Sequence, residues 1–266
     1  YVAGAYCGKL LASFGAEVAT IHASPSGENI NAGCGALHPE SLIGHVRKSR
    51  ADLGVAFDGD GDRSIFVSST GELVDGDGVL LVMARRLKKD GRLTPPAVVG
   101  TSMTNYGLEL AFAEEGIALI RVDVGDRYVF QEMLSCGAQL GGEPSGHIIF
   151  SDYGLSGDGL LTALKVSEAI VREELTLDEL VRGWQSAPQL LRNLRVSEKI
   201  PLESLPTVGE KISEIAKRLE GRGRIVVRYS GTEPLLRIMI ESDSADTNNA
   251  FADELIGVVE KNLPKL

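Results

Sequence analysis

The sequence predicts an α/β protein: two three-layer α/β units, the first incomplete, followed by a small α+β domain. Three observations carry that reading. Short apolar runs with strand character alternate with longer runs of helical periodicity. The 31 glycines fall in short clusters between apolar segments, as turns do, and not in low-complexity tracts. After Pro188 the alternation changes to strand, helix, strand, strand, helix.

Taken in order, Leu10, Leu11 and Phe14 mark a helix near 3–14, followed by a strand at Glu17 to Ile21, a helix near 39–48, strands Leu53 to Phe57 and Ser64 to Ser68, and a helix from Asp77 to Leu87. The series continues with strand Ala97 to Val99, helix 104–115, strand Ala118 to Val122, helix 126–135, strands Ala138 to Leu140 and His147 to Phe150, and helix 158–173. Strands separated by helices imply parallel sheets with helices on both faces. The last part reads as strand Leu190 to Val196, helix 205–220, strands Ile225 to Tyr229 and Leu236 to Glu241, and helix 247–263, whose Phe251, Leu255, Val258 and Val259 share a face. The expected domains are 1–75, 76–188 and 189–266. The chain opens at Tyr1 without Met and enters a helical pattern with no strand before it, so the first unit is expected to be cut, to be the least stable part and to self-associate through its unpaired sheet.

The 43% hydrophobic and 24% charged composition belongs to a globular protein with a substantial core. No apolar run reaches the roughly 18 residues that span a bilayer, and no signal-peptide pattern opens the chain, so no membrane partner is expected. A formal charge of -10 repels nucleic acid, which leaves any anionic ligand to a local basic site. Cys7, Cys34 and Cys136 are odd in number and lack metal or disulfide spacing, which suits a cytoplasmic protein.

Three loops carry chemistry. Asp58-Gly59-Asp60-Gly61-Asp62-Arg63 follows an apolar strand and concentrates three carboxylates, a hard-oxygen site for a divalent cation. An EF-hand is excluded because Arg63 stands where that loop needs glycine and Ser69 where it needs a bidentate glutamate, so Mg²⁺ at the carboxyl end of a parallel strand is the expectation. Gly141-Gly142-Glu143-Pro144-Ser145-Gly146-His147 presents a carboxylate, a hydroxyl and an imidazole suited to a polyhydroxy ligand, although alone it reads equally well as a plain hairpin. It lacks the Gly-x-Ser-x-Gly pattern of a serine hydrolase. Arg228-Tyr229-Ser230-Gly231-Thr232-Glu233-Pro234 offers hydroxyls, backbone N–H groups and a guanidinium to phosphate oxygens, and is no Walker loop because no lysine follows the glycine; alone it too reads equally well as a hairpin.

In this order the three loops resemble the metal, sugar and phosphate loops of the α-D-phosphohexomutase superfamily, over the whole chain. Gly27-Glu28-Asn29-Ile30-Asn31, the run Gly33 to Glu40, and Val124 to Val129 resemble the branch that acts on glucosamine phosphate, with Pro144 in place of the glutamine expected there. The resemblance implies an intramolecular phosphotransferase that interconverts glucosamine 6-phosphate and glucosamine 1-phosphate through a phosphoserine and a 1,6-bisphosphate, toward UDP-N-acetylglucosamine. It implies Mg²⁺ on Asp58, Asp60 and Asp62, with Arg63 steadying the transferring phosphoryl group. Glu143 and Ser145 would bind the sugar, and His147 would bind it and exchange a proton. Arg228, Ser230, Gly231 and Thr232 would grip the non-transferring phosphate in a domain that moves as a lid, with Arg237, Asp126 and Arg127 as further contacts. The family's Thr-Ala-Ser-His-Asn-Pro-like phosphoserine loop does not occur in these 266 residues, so the chain alone is expected to be inactive. Branches acting on mannose or glucose phosphates, and a sugar-phosphate-binding module without catalysis, are the alternatives.

Overall fold

The structure is a computed structural model that describes residues 2–263. These fall into two compact units, one drawn from 2–104 and 108–184, the other from 105–107 and 185–263. The first unit opens with α1 (Val2–Ser13) and α2 (Glu40–Ser49), then β1 (Leu53–Phe57), β2 (Ser64–Ser68), β3 (Leu73–Val74) and α3 (Gly76–Lys89). It continues with β4 (Ala97–Thr101), α4 (Tyr106–Glu114), β5 (Ala118–Val122), α5 (Asp126–Cys136), β6 (Leu140–Gly142), β7 (Ile148–Phe150), α6 (Gly159–Glu173) and α7 (Leu177–Leu180).

Two sheets form. β1, β2 and β3 make an antiparallel sheet in that order, with Phe57 opposite Ser64. The second sheet runs β5-β4-β6-β7, parallel at β4–β5 and β4–β6 and antiparallel at β6–β7. The parallel reading therefore holds for the interior of the second sheet and fails for the first. Only the loop 58–63 joins β1 to β2, and a parallel pair needs a crossover of about a dozen residues. The expected strand at 17–21 also fails. Val18, Thr20 and Ile21 have strand propensity, but Val18 and Ile21 would lie on opposite faces, among the described residues no neighbouring strand pairs with the segment, and an unpaired strand leaves its backbone groups to water. The turn-length β3 and α7 are too short to show periodicity.

The core of this unit is built on α3, buried from Gly76 to Ala84, against Phe66 of β2, Leu108 and Phe112 of α4, Leu140 and Ile148 of the second sheet, and Ala163 and Val166 of α6. Asp75 starts α3 by accepting hydrogen bonds from the Asp77 and Gly78 amides, at 3.0 and 3.2 Å. On the opposite face of the second sheet Val99 and Ile149 meet Val129 and Met133 of α5. Adjacent residues Val98 and Val99 enter different clusters, as strand alternation requires, and this gives the helix–sheet–helix layering.

The second unit is the α+β arrangement the sequence predicts. β8 (Gln189–Arg195), β9 (Gly223–Tyr229) and β10 (Leu235–Ser242) form an antiparallel sheet in the order β8-β10-β9. α8 (Pro206–Leu219) and α9 (Ala245–Asn262) cover one face, where Leu236, Ile238 and Ile240 meet Val208, Ile215, Phe251, Leu255 and Val259. The other face carries Arg195, Arg228, Arg237 and Glu241, all at the alternate positions. Glu241, wholly buried, is paired with Arg224 Nε at 2.5 Å and accepts from Gln189 Nε2 at 2.7 Å and Asn105 Nδ2 at 3.2 Å. That explains why 105–107 belongs with this unit. Among the described residues, no helix is long and apolar enough to cross a membrane.

Candidate active site

The loop expected to bind a metal is the connection between β1 and β2. Asp58 Oδ1 accepts from the amides of Gly61 and Arg63, at 3.1 and 3.2 Å, which curls the loop and brings one oxygen of each of Asp58, Asp60 and Asp62 within 4.8 Å of the others. Burial, and then the neighbouring Asp62, push the Asp58 carboxyl above its ordinary range. Arg63 Nε lies 3.7 Å from Asp58 and 3.8 Å from Asp62, too far for hydrogen bonds. Asp62 Oδ1 is buried without a hydrogen-bond partner. Three hard oxygens, one of them orphaned, and a carboxyl penalised for its charge fit a small divalent cation.

The loop expected to bind sugar joins β6 to β7, and backbone hydrogen bonds fasten it to the end of the β1–β2 loop and to the start of α3. Ser64 N–H donates to Gly146 at 3.2 Å, Gly76 N–H to Pro144 at 3.0 Å, and Arg63 bridges His147 in antiparallel fashion. Gly146 has φ +92°, and a Cβ there would lie 2.3 Å from the Ser64 carbonyl oxygen, so only glycine permits the junction. Pro144, the departure noted in the sequence, leaves this loop geometry closed because its carbonyl is the group that is used. Glu143 accepts the Gly125 amide on Oε1 at 2.9 Å and the Ser145 hydroxyl on Oε2 at 3.3 Å. Its carboxylate is thereby fixed beside the N-terminus of α5. Asp126 and Arg127 occupy the exposed first turn of that helix, where Asp126 accepts the Arg127 amide at 2.7 Å.

His147 is 3% exposed and both ring nitrogens have partners. Nε2 faces the Gly157 amide at 2.9 Å, and since an amide only donates, Nε2 is the unprotonated nitrogen. Nδ1 therefore carries the proton and donates it to Asp62 Oδ2 at 2.9 Å. Gly159 N–H adds a bond to Gly61 at 3.0 Å. Sequence reasoning had no role for Gly157 or Gly159 and used Gly125 only within the run Val124 to Val129; the one available signal for the first two was the glycine-rich run Gly154 to Gly159 ahead of α6.

The loop expected to bind phosphate is the β9–β10 turn of the second unit. Ser230 is 4% exposed; its amide donates to Leu235 at 2.9 Å and its Oγ accepts the Glu233 amide at 3.3 Å. Gly231 and Thr232 are exposed at the tip. Gly231 has an ordinary φ and nothing within 4 Å of the position a Cβ would take, so neither backbone nor packing of this chain requires glycine there. Arg228 and Arg237 are opposite each other in the β9–β10 register, and Arg237 Nη2 donates to Glu233 at 2.7 Å while its Nε is buried without a partner.

Two domain models of one family match the chain: "Phosphoglucomutase/phosphomannomutase, alpha/beta/alpha domain III" at residues 75–187 and "Phosphoglucomutase/phosphomannomutase, C-terminal domain" at 191–258. The chain belongs to the phosphoglucomutase/phosphomannomutase family, the phosphohexomutases. Within it, the chain is 47% identical over 255 residues to the phosphoglucosamine mutase of Solibacter usitatus, covering 96% of this chain and 57% of that protein. It is 44% identical over 249 residues to that of Geobacter sp., covering 94% and 55%. The chain thus spans a little over half the length of these relatives. The fold matches that of a phosphoglucomutase/phosphomannomutase family protein from Burkholderia thailandensis, with TM-score 0.78, 24% identity and coverage of 99% of this chain and 60% of the other. It also matches that of Aspergillus fumigatus N-acetylphosphoglucosamine mutase in complex with GlcNAc-6P and magnesium, with TM-score 0.68, 21% identity and coverage of 86% and 57%.

Proposed function

We propose that this chain supplies the metal, sugar and phosphate loops of a phosphoglucosamine mutase, which interconverts glucosamine 6-phosphate and glucosamine 1-phosphate through a phosphoserine and a 1,6-bisphosphate. The observation that carries the reading is the joining of metal loop and sugar loop through Asp62 and His147, within a chain 44–47% identical to phosphoglucosamine mutases. A cation-binding turn and a hydroxyl-binding turn held this closely serve a reaction in which a phosphorylated sugar meets a metal.

Asp58, Asp60 and Asp62 would hold Mg²⁺, which when bound neutralises the phosphoryl oxygens. Arg63 contributes a guanidinium beside the same oxygens. Glu143 and Ser145 offer acceptor and donor groups to sugar hydroxyls and to a protonated amine, with Asp126 and Arg127 on the adjacent turn. His147 serves as proton acceptor once Nε2 is released from the Gly157 amide; Asp62 at Nδ1 supports the positive charge that then forms on the ring. Arg228, Ser230, Gly231, Thr232 and Arg237 take the phosphate that is not transferred: the open space above Gly231 admits an oxygen to the backbone, and an anion relieves the facing arginines. The partition 1–75, 76–188 and 189–266 follows as metal-loop, sugar-loop and phosphate-loop domains.

The phosphoryl-carrying serine belongs, on this reading, to the part of the relatives that this chain does not match, so the chain by itself binds sugar phosphate without turning it over. The test is calorimetric. Glucosamine 6-phosphate should bind the 266-residue chain, and glucosamine lacking phosphate should bind far more weakly. Equal affinity for the two would remove the phosphate grip from the account.

A further inference from the structure

Lys199 lies on the segment between β8 and α8, outside the three loops, yet it reaches the phosphate loop from behind. Its Nζ donates to the Ser230 carbonyl at 2.6 Å and to the Gly231 carbonyl at 3.2 Å. The same segment is tied to the loop twice more: Tyr229 Oη donates to the Ile200 carbonyl at 2.7 Å, and the Val196 amide to the Pro234 carbonyl at 3.0 Å.

Peptide planarity gives these contacts a consequence. In a trans peptide the carbonyl and the following N–H point in opposite directions. Turning the carbonyls of Ser230 and Gly231 toward one ammonium therefore turns the N–H groups of Gly231 and Thr232 away from it, toward the exposed side of the tip. Two successive amides aimed to one side form an anion-binding concavity, and the ammonium behind them polarises both donors. Gly231, exposed and with nothing in its Cβ position, leaves that side open.

We propose that Lys199 is a positioning residue for the phosphate loop: by gripping two consecutive carbonyls from behind, it presents the Gly231 and Thr232 amides to a sugar phosphate. The proposal rests on the reading of this turn as a phosphate grip. It places the determinant of amide orientation about thirty residues upstream of the motif, where no motif search would find it.

The experiment titrates glucosamine 6-phosphate and inorganic phosphate into the 266-residue chain and into its Lys199→Met, Lys199→Arg and Arg228→Ala variants, by calorimetry and by amide NMR. Lys199→Met should weaken both ligands roughly tenfold and shift the Gly231 and Thr232 amide resonances of the free protein. Lys199→Arg should restore most of the affinity. If Arg228→Ala loses affinity while Lys199→Met keeps it, the role of Lys199 is overturned and the phosphate grip stands. If neither variant loses affinity, the grip itself fails and the proposal with it. A loss that arginine does not restore, with the two amide resonances unmoved, would also overturn it, because a general loosening of the unit then accounts for the effect.

Discussion

Asp62 and His147, eighty-five residues apart in the chain, meet at 2.9 Å between Oδ2 and Nδ1, and this contact joins the turn that collects carboxylates to the turn we propose binds sugar. With Nε2 accepting from Gly157, the neutral ring has one permitted tautomer. Long-range proton–nitrogen NMR of the imidazole should show that the neutral ring carries its proton on Nδ1 and leaves Nε2 bare. The opposite tautomer would mean that the ring does not sit between these two partners.

Gly157 sets the second half of that arrangement. A Cβ there would lie 2.5 Å from His147 Nε2 and 2.6 Å from the neighbouring ring carbons, and the ring cannot retreat while Asp62 holds its far side. Gly157→Ala should therefore cost about 1–3 kcal/mol in urea unfolding, the usual range for overpacking a buried site. A loss below 0.5 kcal/mol, roughly the level of an ordinary surface change, would show that the loop yields freely.

Cation affinity should rise with pH. The Asp58 carboxyl is pushed above its ordinary range by burial and by Asp62, so over the acid range it retains a proton that a divalent ion must displace. Affinity is lost as pH falls through that raised value. Mg²⁺ titrations from the acid range to neutral pH should show steadily tighter binding, and Asp62→Asn should weaken it at every pH. A flat profile would contradict the assignment of these carboxylates as ligands. Binding should be weak throughout, because Mg²⁺ keeps much of its water shell when few protein ligands are offered.

Much of this was legible in the sequence. The three loops announce themselves as dense runs of chemistry-bearing residues, and α5, α6, α8 and the strands of the second unit follow from periodicity to within a few residues. What periodicity misses is pairing. Glu17 to Ile21 contains residues that favour strands, but a strand exists only through a partner, and the antiparallel direction of β1 and β2 is set by loop length and not by side-chain pattern. The partners of the site were hidden for a similar reason. Gly125 and Gly157 act through their own backbone amides, and Lys199 grips the backbone carbonyls of distant residues, so none of the three is marked by a local motif.

Arg228→Ala should weaken glucosamine 6-phosphate binding by about 1.5–3 kcal/mol, the scale of a charge-assisted hydrogen bond. Stability should hold, because Arg228 lies on the sheet face away from the core and opposite Arg237, so its loss removes a like-charge pair. Calorimetry and thermal unfolding of the same sample check both halves.

Cys7 should be the slowest of the three thiols to react. Its side chain is 3% exposed and burial pushes its pKa up to about 11, so at pH 8 only about one molecule in a thousand carries the thiolate. Cys34 and Cys136 are only partly buried and should be alkylated first, as peptide mapping after brief iodoacetamide treatment would show. Early labelling of Cys7 would indicate that α1 opens readily.

The central claim is that these loops form the metal-binding and substrate-binding part of a phosphoglucosamine mutase whose phosphoryl-carrying serine lies elsewhere. The most direct measurement mixes the chain with a separately produced amino-terminal segment from one of its phosphoglucosamine mutase relatives, carrying phosphoserine. Conversion of glucosamine 6-phosphate is then followed with Mg²⁺ and a trace of the 1,6-bisphosphate. The account predicts turnover in the mixture, none with either piece alone, and preference for glucosamine phosphate over mannose and glucose phosphates. Turnover by the chain alone, or a mixture that prefers mannose phosphate, would contradict it.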